Sequence, residues 1–178
     1  MIANDRIAGP PERGEVADDY FPYIDRVPAG DIVETLARQL DETLAFASGI
    51  PEEKSRQRYE SGKWSIKQVF NHVNDIERVF TLRALCFARG FDSPLPSYDE
   101  NIAAGNSGAD DVSWASHVEE FKAIRQASVA FFRNLPAEAW LRKGIASDNP
   151  FTVRGLAWIL AGHLIHHTGV IREKYLGK

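Results

Sequence analysis

Residues 152–175 read TVRGLAWILAGHLIHHTGVIREKY, a segment long enough for about six turns of α-helix. At about 100° per residue, His163 and His167 lie about 40° apart, on the same apolar stripe as Leu156 and Leu160. A histidine on such a stripe faces the core, where a neutral imidazole needs a partner for its ring nitrogens. The segment therefore predicts a core helix with two inward-facing histidines one turn apart.

Three further segments repeat apolar residues every three to four positions, and no segment predicts a β-strand. Asp31 and Ser65 are predicted N-caps, with Glu34 and Gln68 at the capping-box positions. We expect helices at about residues 31–48, 65–89, 113–134 and 152–177. Four amphipathic helices of similar length predict an all-α protein that forms a four-helix bundle.

Residues 90–112 separate the second and third helices and are rich in Gly, Pro, Asn and Asp. A helix of ~25 residues is ~37 Å long. An extended loop of ~22 residues spans that distance. The second and third helices can therefore run parallel, joined by a long crossover, and a loop of this length is often functional.

Residues 1–30 contain four prolines and no sustained period, which predicts an N-terminal arm rather than a fifth helix of the bundle. The bundle itself would then occupy residues 31–178. We expect the arm to pack on the bundle through three aromatic side chains, those of Tyr20, Phe21 and Tyr23.

Composition excludes several classes of protein. The net charge is -4 and no Lys/Arg-rich block occurs, which argues against binding nucleic acid through its phosphates. No run of 18 apolar residues predicts a membrane span, and the first residues lack the apolar region of a secretory signal. Cys86 is the one cysteine, so an intrachain disulfide is excluded. We expect a cytoplasmic protein with no nucleic-acid or membrane partner.

A third histidine, His72, shares an apolar stripe of the second helix with Ile76 and Val79. Three inward histidines from two helices predict one divalent-metal site, because a single ion satisfies several imidazoles at once. Three protein ligands leave a position open for a water molecule, whose pKa the ion lowers to about 7. The alternative is that each histidine is a core residue with an ordinary hydrogen-bond partner.

Two other histidines are not expected to be metal ligands. His166 falls at the edge of the stripe that holds His163, and we expect it to support a ligand or to face solvent. His117 stands among Ser116 and two glutamates, which predicts a surface position.

The residues around the predicted ligands are similar to a known family. Residues 58–68 read RYESGKWSIKQ and lead into His72, and residues 161–171 read AGHLIHHTGVI. With its histidines in this order, the chain resembles the DinB-like (DinB/YfiT) superfamily of metal-dependent enzymes over about residues 31–176. The resemblance implies a four-helix bundle with a long crossover, and His72, His163 and His167 as ligands of nickel, zinc or a related divalent ion. It also implies a homodimer, and activities that include thiol S-transfer with low-molecular-weight thiols and maleylpyruvate isomerisation.

Arg83 lies on the His72 stripe about three turns further along. A guanidinium that faces the core needs a carboxylate partner, and Asp99 or Glu100 in the crossover is the expected one. The functional alternative is that Arg83 anchors an anionic group of the substrate above the metal. Cys86 lies ~21 Å of helix rise beyond His72, too far to be a fourth ligand, and is expected to be a buried thiol.

Two functions from different classes follow. The first is a metal-dependent enzyme of the thiol S-transferase or hydrolase type, acting on an unknown small molecule or low-molecular-weight thiol through a metal-bound water. The second is a non-catalytic bundle in which a metal staples two helices and the protein binds a ligand or partner. The sequence offers no fourth buried ligand, which favours an open, catalytic coordination sphere.

Overall fold

The computed structural model of the chain describes residues 9–177 and contains four long α-helices packed as a bundle. The helices are α1 (Ile32–Ser48), α2 (Ile66–Ala88), α3 (Trp114–Arg133) and α4 (Val153–Val170). A π-helical turn, Ile171–Tyr175, continues α4. The predicted all-α four-helix class is confirmed. Within residues 9–177, no helix is both long and apolar enough to span a membrane.

Side-chain caps fix where all four of these helices begin, and at α3 the Ser113 hydroxyl accepts a hydrogen bond from the amide of Ser116. The Asp31 carboxylate accepts hydrogen bonds from the amides of Val33 and Glu34, but the structure shows no return bond from the Glu34 side chain, so the predicted capping box is half formed. Ser65 and Gln68 form the complete capping box predicted for α2. The Thr152 hydroxyl accepts the hydrogen bond that starts α4.

The crossover lets α2 and α3 run parallel, as the loop length predicted. Asn74 contacts His117, and Thr81, two turns further along α2, contacts Ser128, three turns further along α3. The crossover is partly ordered, because it contains the short helix Glu100–Asn106. This helix contacts α2.

The prediction that the chain has no strand was wrong. Lys143–Ala146 pairs antiparallel with Asn149–Thr152 just before α4. Each strand has four residues, which is too short to show a period in the sequence. Ser147 and Asp148 both have positive φ, as a two-residue hairpin turn requires, but lack the Asn-Gly pattern that announces one.

Part of the arm packs against α4. Phe21, Ile24 and Val27 are buried in the core, and the short helix Phe21–Ile24 crosses α4. Its main chain comes so close to Gly162 that any Cβ there would overlap the Tyr23 carbonyl. Residues 1–8 of the predicted arm lie outside the described residues.

The interior has two apolar clusters with a polar layer between them. The cluster nearer the hairpin includes Leu36, Phe80, Phe132, Phe151 and Trp158. The cluster at the other end includes Phe70, Val73, Trp114, Phe121 and Leu164.

The polar layer consists of Gln39, Glu77 and Arg125, one each from α1, α2 and α3. Arg125 and Glu77 form a fully buried ion pair at 2.7 Å, and Gln39 donates to the Ala161 carbonyl of α4. Ala161 and Leu164 bracket His163, so this histidine lies on α4 where one cluster gives way to the other.

Candidate metal centre

The structure brings the three predicted ligands together. His72 Nε2 and His163 Nε2 are 3.0 Å apart. One ring nitrogen from each of His72, His163 and His167 lies within 4.8 Å of the other two. At metal–nitrogen bonds of about 2.1 Å, two imidazole nitrogens lie about 3.0 Å apart at an octahedral angle and about 3.4 Å apart at a tetrahedral one. The donor set, and the 3.0 Å spacing of His72 and His163, therefore fit a divalent ion.

Burial keeps these imidazoles neutral. It lowers the pKa of His72 from 6.5 to about 4, with a further contribution from the charge of His166. It lowers the pKa of His167 to about 3, assisted by His72 and His166, and that of His163 well below its ordinary value. A neutral imidazole presents the lone pair that a metal needs, so at pH 7 the cluster carries no positive charge that would repel a cation.

Aromatic side chains hold the histidine rings. The Trp64 ring lies 5.2 Å from that of His72, so Trp64 walls the site. Tyr23 lies 5.7 Å from the His163 ring and 5.3 Å from the His166 ring, edge-on to the latter. His166 stays outside the group of ligand nitrogens, at the partly exposed edge that its helical phase predicted.

Two cavities flank the cluster. The larger cavity, about 330 Å³, reaches His167, and its walls include Tyr59, Trp64, Asn101, His166 and Tyr175. The smaller cavity, about 130 Å³, reaches His163, and its walls include Tyr23, Arg83, Tyr98, Glu100 and Ser147. Glu100 and Asn101 are consecutive residues of the crossover helix, so this helix borders both cavities. The histidines can thus be approached from two sides.

The sequence missed the place of Glu100. Its carboxylate lies 3.7 Å from His72 Nε2 and is 56% exposed. It does not join the three histidines in the 4.8 Å group, which leaves it beside the cluster rather than within it. The Asp99-Glu100 pair at the start of a helix in the crossover was the available signal, because Asp99 caps that helix and thereby fixes where Glu100 points.

The prediction that Asp99 or Glu100 pairs with Arg83 was wrong. The Arg83 guanidinium donates to the Pro96 carbonyl at 3.0 Å and to the Ser147 hydroxyl at 2.9 Å. The Asp99 carboxylate accepts hydrogen bonds at the start of the crossover helix, and the Glu100 carboxylate lies beside His72. Among residues 9–177, no carboxylate lies within ion-pair distance of Arg83.

Two smaller predictions also need correction. His117 is not on the surface: it is 1% exposed, and its Nε2 donates to the Ala109 carbonyl at 2.9 Å. The crossover folds over this part of α3, which local sequence could not reveal. Cys86 is partly exposed rather than buried.

Comparison with known proteins agrees with this architecture. A family model described as the DinB superfamily matches residues 35–171. Among solved structures, YfiT from Bacillus subtilis, described as a probable metal-dependent hydrolase with an unusual four-helix bundle topology, matches with a TM-score of 0.68. The two chains share 17% sequence identity, and the match covers 94% of this chain and 95% of that one. At this identity the likeness shows the fold alone. A search of curated proteins finds no match.

Proposed function

This chain belongs to the DinB superfamily, and from that premise we propose that it is a metal-dependent enzyme with a three-histidine site. His72, His163 and His167 would hold the ion, and nickel and zinc are the metals proposed. The observation that carries the proposal is the convergence of three neutral imidazoles from two helices within 4.8 Å.

The residues around the ligands supply what a reaction at this site requires. A bound divalent ion would act as a Lewis acid and make a neighbouring water or thiol more acidic. Glu100, 3.7 Å from His72 Nε2, would accept the proton that such a nucleophile loses. The two cavities would hold the parts of the substrate on either side of the reacting bond.

Hydrolysis is the reaction we favour. It needs only water, which can reach the histidines through the two cavities, and YfiT, which shares the fold, is described as a probable metal-dependent hydrolase. Thiol S-transfer is the second candidate, because the larger cavity has room beside His167 for an extended thiol. That thiol would have to be a low-molecular-weight substrate, since Cys86, the one cysteine, is not part of the site.

Metal analysis of untagged protein tests the proposal directly. After incubation with nickel or zinc and dialysis, we expect about one ion per chain in the wild type and none in His167→Gln. His166→Gln is the matched control, because it removes a neighbouring imidazole on the same helix that is outside the ligand group. Absence of bound metal in the wild type, or equal loss in both variants, would refute the three-histidine site.

Glu100→Gln separates an enzyme from a metal-stapled bundle. If Glu100 accepts a proton, the variant keeps its metal and loses turnover in a screen of esters, amides and thiol acceptors. If Glu100 instead closes a structural coordination sphere, the variant loses metal affinity. The predicted homodimer is a separate proposal that light scattering on the purified protein would check.

A further inference from the structure

The smaller cavity contains a buried cation without a buried counter-charge. Arg83 is 4% exposed, and its two hydrogen-bond acceptors, the Pro96 carbonyl and the Ser147 hydroxyl, are both neutral. Buried arginines are ordinarily paired with a carboxylate or phosphate, because neutral acceptors satisfy the N–H groups but leave the charge unbalanced. Within residues 9–177, no carboxylate balances the positive charge of Arg83. An anion that entered the cavity would therefore meet a complementary charge there.

Arg83 and one of the clustered histidines, His163, line the same cavity. Arg83 follows His72 by about three turns of α2, or ~16 Å of rise. Side chains on a helix lean back towards its N-terminus, which brings the Arg83 head group into the same cavity that His163 lines. The cavity therefore joins a cation at one end to the candidate metal centre at the other.

The opposite charges in the cavity orient an anion. Glu100 lines the cavity as well, but its carboxylate lies next to His72. No ion pair joins Glu100 to Arg83, so the two charges are not in direct contact. An anionic group would be repelled at the Glu100 end and attracted at the Arg83 end.

We propose that the smaller cavity is a carboxylate subsite, in which Arg83 binds the acid group of a short carboxylic acid whose reacting bond lies beside the histidine cluster. A volume of about 130 Å³ corresponds to roughly four water molecules at ~30 Å³ each, enough for a carboxylate and two or three carbon atoms. The planar, forked guanidinium matches a carboxylate in two parallel hydrogen bonds. The proposal deepens the proposed function. Its statement about the reacting bond rests on that function, whereas the binding of the acid does not.

Calorimetric titration with propionate tests the subsite, with propionamide as the neutral probe of the same shape. We expect propionate to bind both chelator-treated and metal-loaded protein, and propionamide to bind neither. Arg83→Met should weaken propionate binding about tenfold or more while metal content stays that of the wild type. Arg78→Met is the matched control, because Arg78 lies on the same helix, is half-exposed and lines neither cavity.

A second variant guards against misfolding of Arg83→Met. In Ser147→Asp, a carboxylate replaces the hydroxyl that Arg83 contacts at 2.9 Å, and aspartate tolerates the positive φ of residue 147. We expect Ser147→Asp to fold at least as stably as the wild type and to lose propionate binding, because the internal acid occupies the guanidinium.

The outcomes separate this proposal from the metal site. Propionate binding that needs metal and survives Arg83→Met would place the acid on the ion and overturn the subsite. Absence of propionate binding in both forms of the wild type would overturn it too. Propionate binding that depends on Arg83 in a protein that takes up no metal would support the subsite and refute the proposed metal centre.

Discussion

The contact between Gly162 and Tyr23 gives the sharpest prediction about the fold. Gly162 lies one residue before His163, and a Cβ at this position would overlap the main chain of Tyr23 in the arm helix. The obstacle is backbone, so no rotamer change relieves it. Gly169, on the same helix two residues after His167, has open space where its Cβ would be.

The two glycine-to-alanine changes should therefore act in opposite directions. Gly169→Ala removes the flexibility of glycine from a helix and should stabilise the protein by about 0.5–1 kcal/mol. Gly162→Ala gains the same term but must push Tyr23 away by a distance on the order of 1 Å, and overpacking of this kind costs about 1–3 kcal/mol. Lifting the arm also uncovers part of Phe21 and Ile24, each worth about 1.5–3 kcal/mol when fully buried.

Adding these terms, Gly162→Ala should destabilise the protein by about 1–3 kcal/mol, and the two variants should differ by about 2–4 kcal/mol. Urea unfolding measures this difference. With an m value of about 2 kcal/mol/M, their midpoints should be about 1–2 M apart. Limited proteolysis should also cut the arm faster in Gly162→Ala. Gly162→Ala as stable as Gly169→Ala would refute the close packing of the arm on α4.

Three further predictions concern the buried polar groups. Lowering the pH from 6.5 towards 4 should destabilise the metal-free protein. The reason is that His72 has a pKa of about 6.5 in the unfolded chain but about 4 in the folded protein, so the unfolded chain takes up a proton first. A urea midpoint that stays constant between pH 7 and 5 would contradict this. Nickel or zinc at 100 times its dissociation constant should stabilise the wild type by about 2.7 kcal/mol. The melting temperature should rise accordingly and fall back when a chelator is added, and His167→Gln should show no such rise. Arg125→Met should cost about 3–5 kcal/mol because it leaves the Glu77 carboxylate buried without its partner, and adding Glu77→Gln should restore part of that loss in a double-mutant cycle.

Helical phase explains why the ligand cluster could be predicted from the sequence. His72, His163 and His167 lie on stripes whose period is local, and two antiparallel helices that bury those stripes against each other can bring the histidines face to face, as the structure shows. The same argument placed His166 at the edge. The starts of α1 and α2 followed from the capping residues Asp31 and Ser65, which are also local signals.

Features that depend on distant contacts could not be predicted in this way. The hairpin is held by bridges from Leu95 and Val16, residues far from it in sequence. His117 is buried because the crossover folds over α3. The partners of Arg83 are a carbonyl of the crossover and a hydroxyl of the hairpin turn, and which of these segments reaches the guanidinium depends on how both loops fold.

The candidate metal ligands and the side chains that would contact a substrate come from different parts of the fold. The three histidines lie on α2 and α4, and α4 is anchored at Ala161 by the buried layer of Gln39, Glu77 and Arg125. The groups that would recognise a substrate come largely from segments outside the four helices: Tyr23 from the arm, Tyr98 and Glu100 from the crossover, and Ser147 from the hairpin turn. Such segments tolerate sequence change better than a packed helical interior does. Substitutions in the arm, crossover and hairpin should therefore alter which small molecules bind while metal content stays constant, whereas substitutions in the buried layer should change stability and metal affinity together.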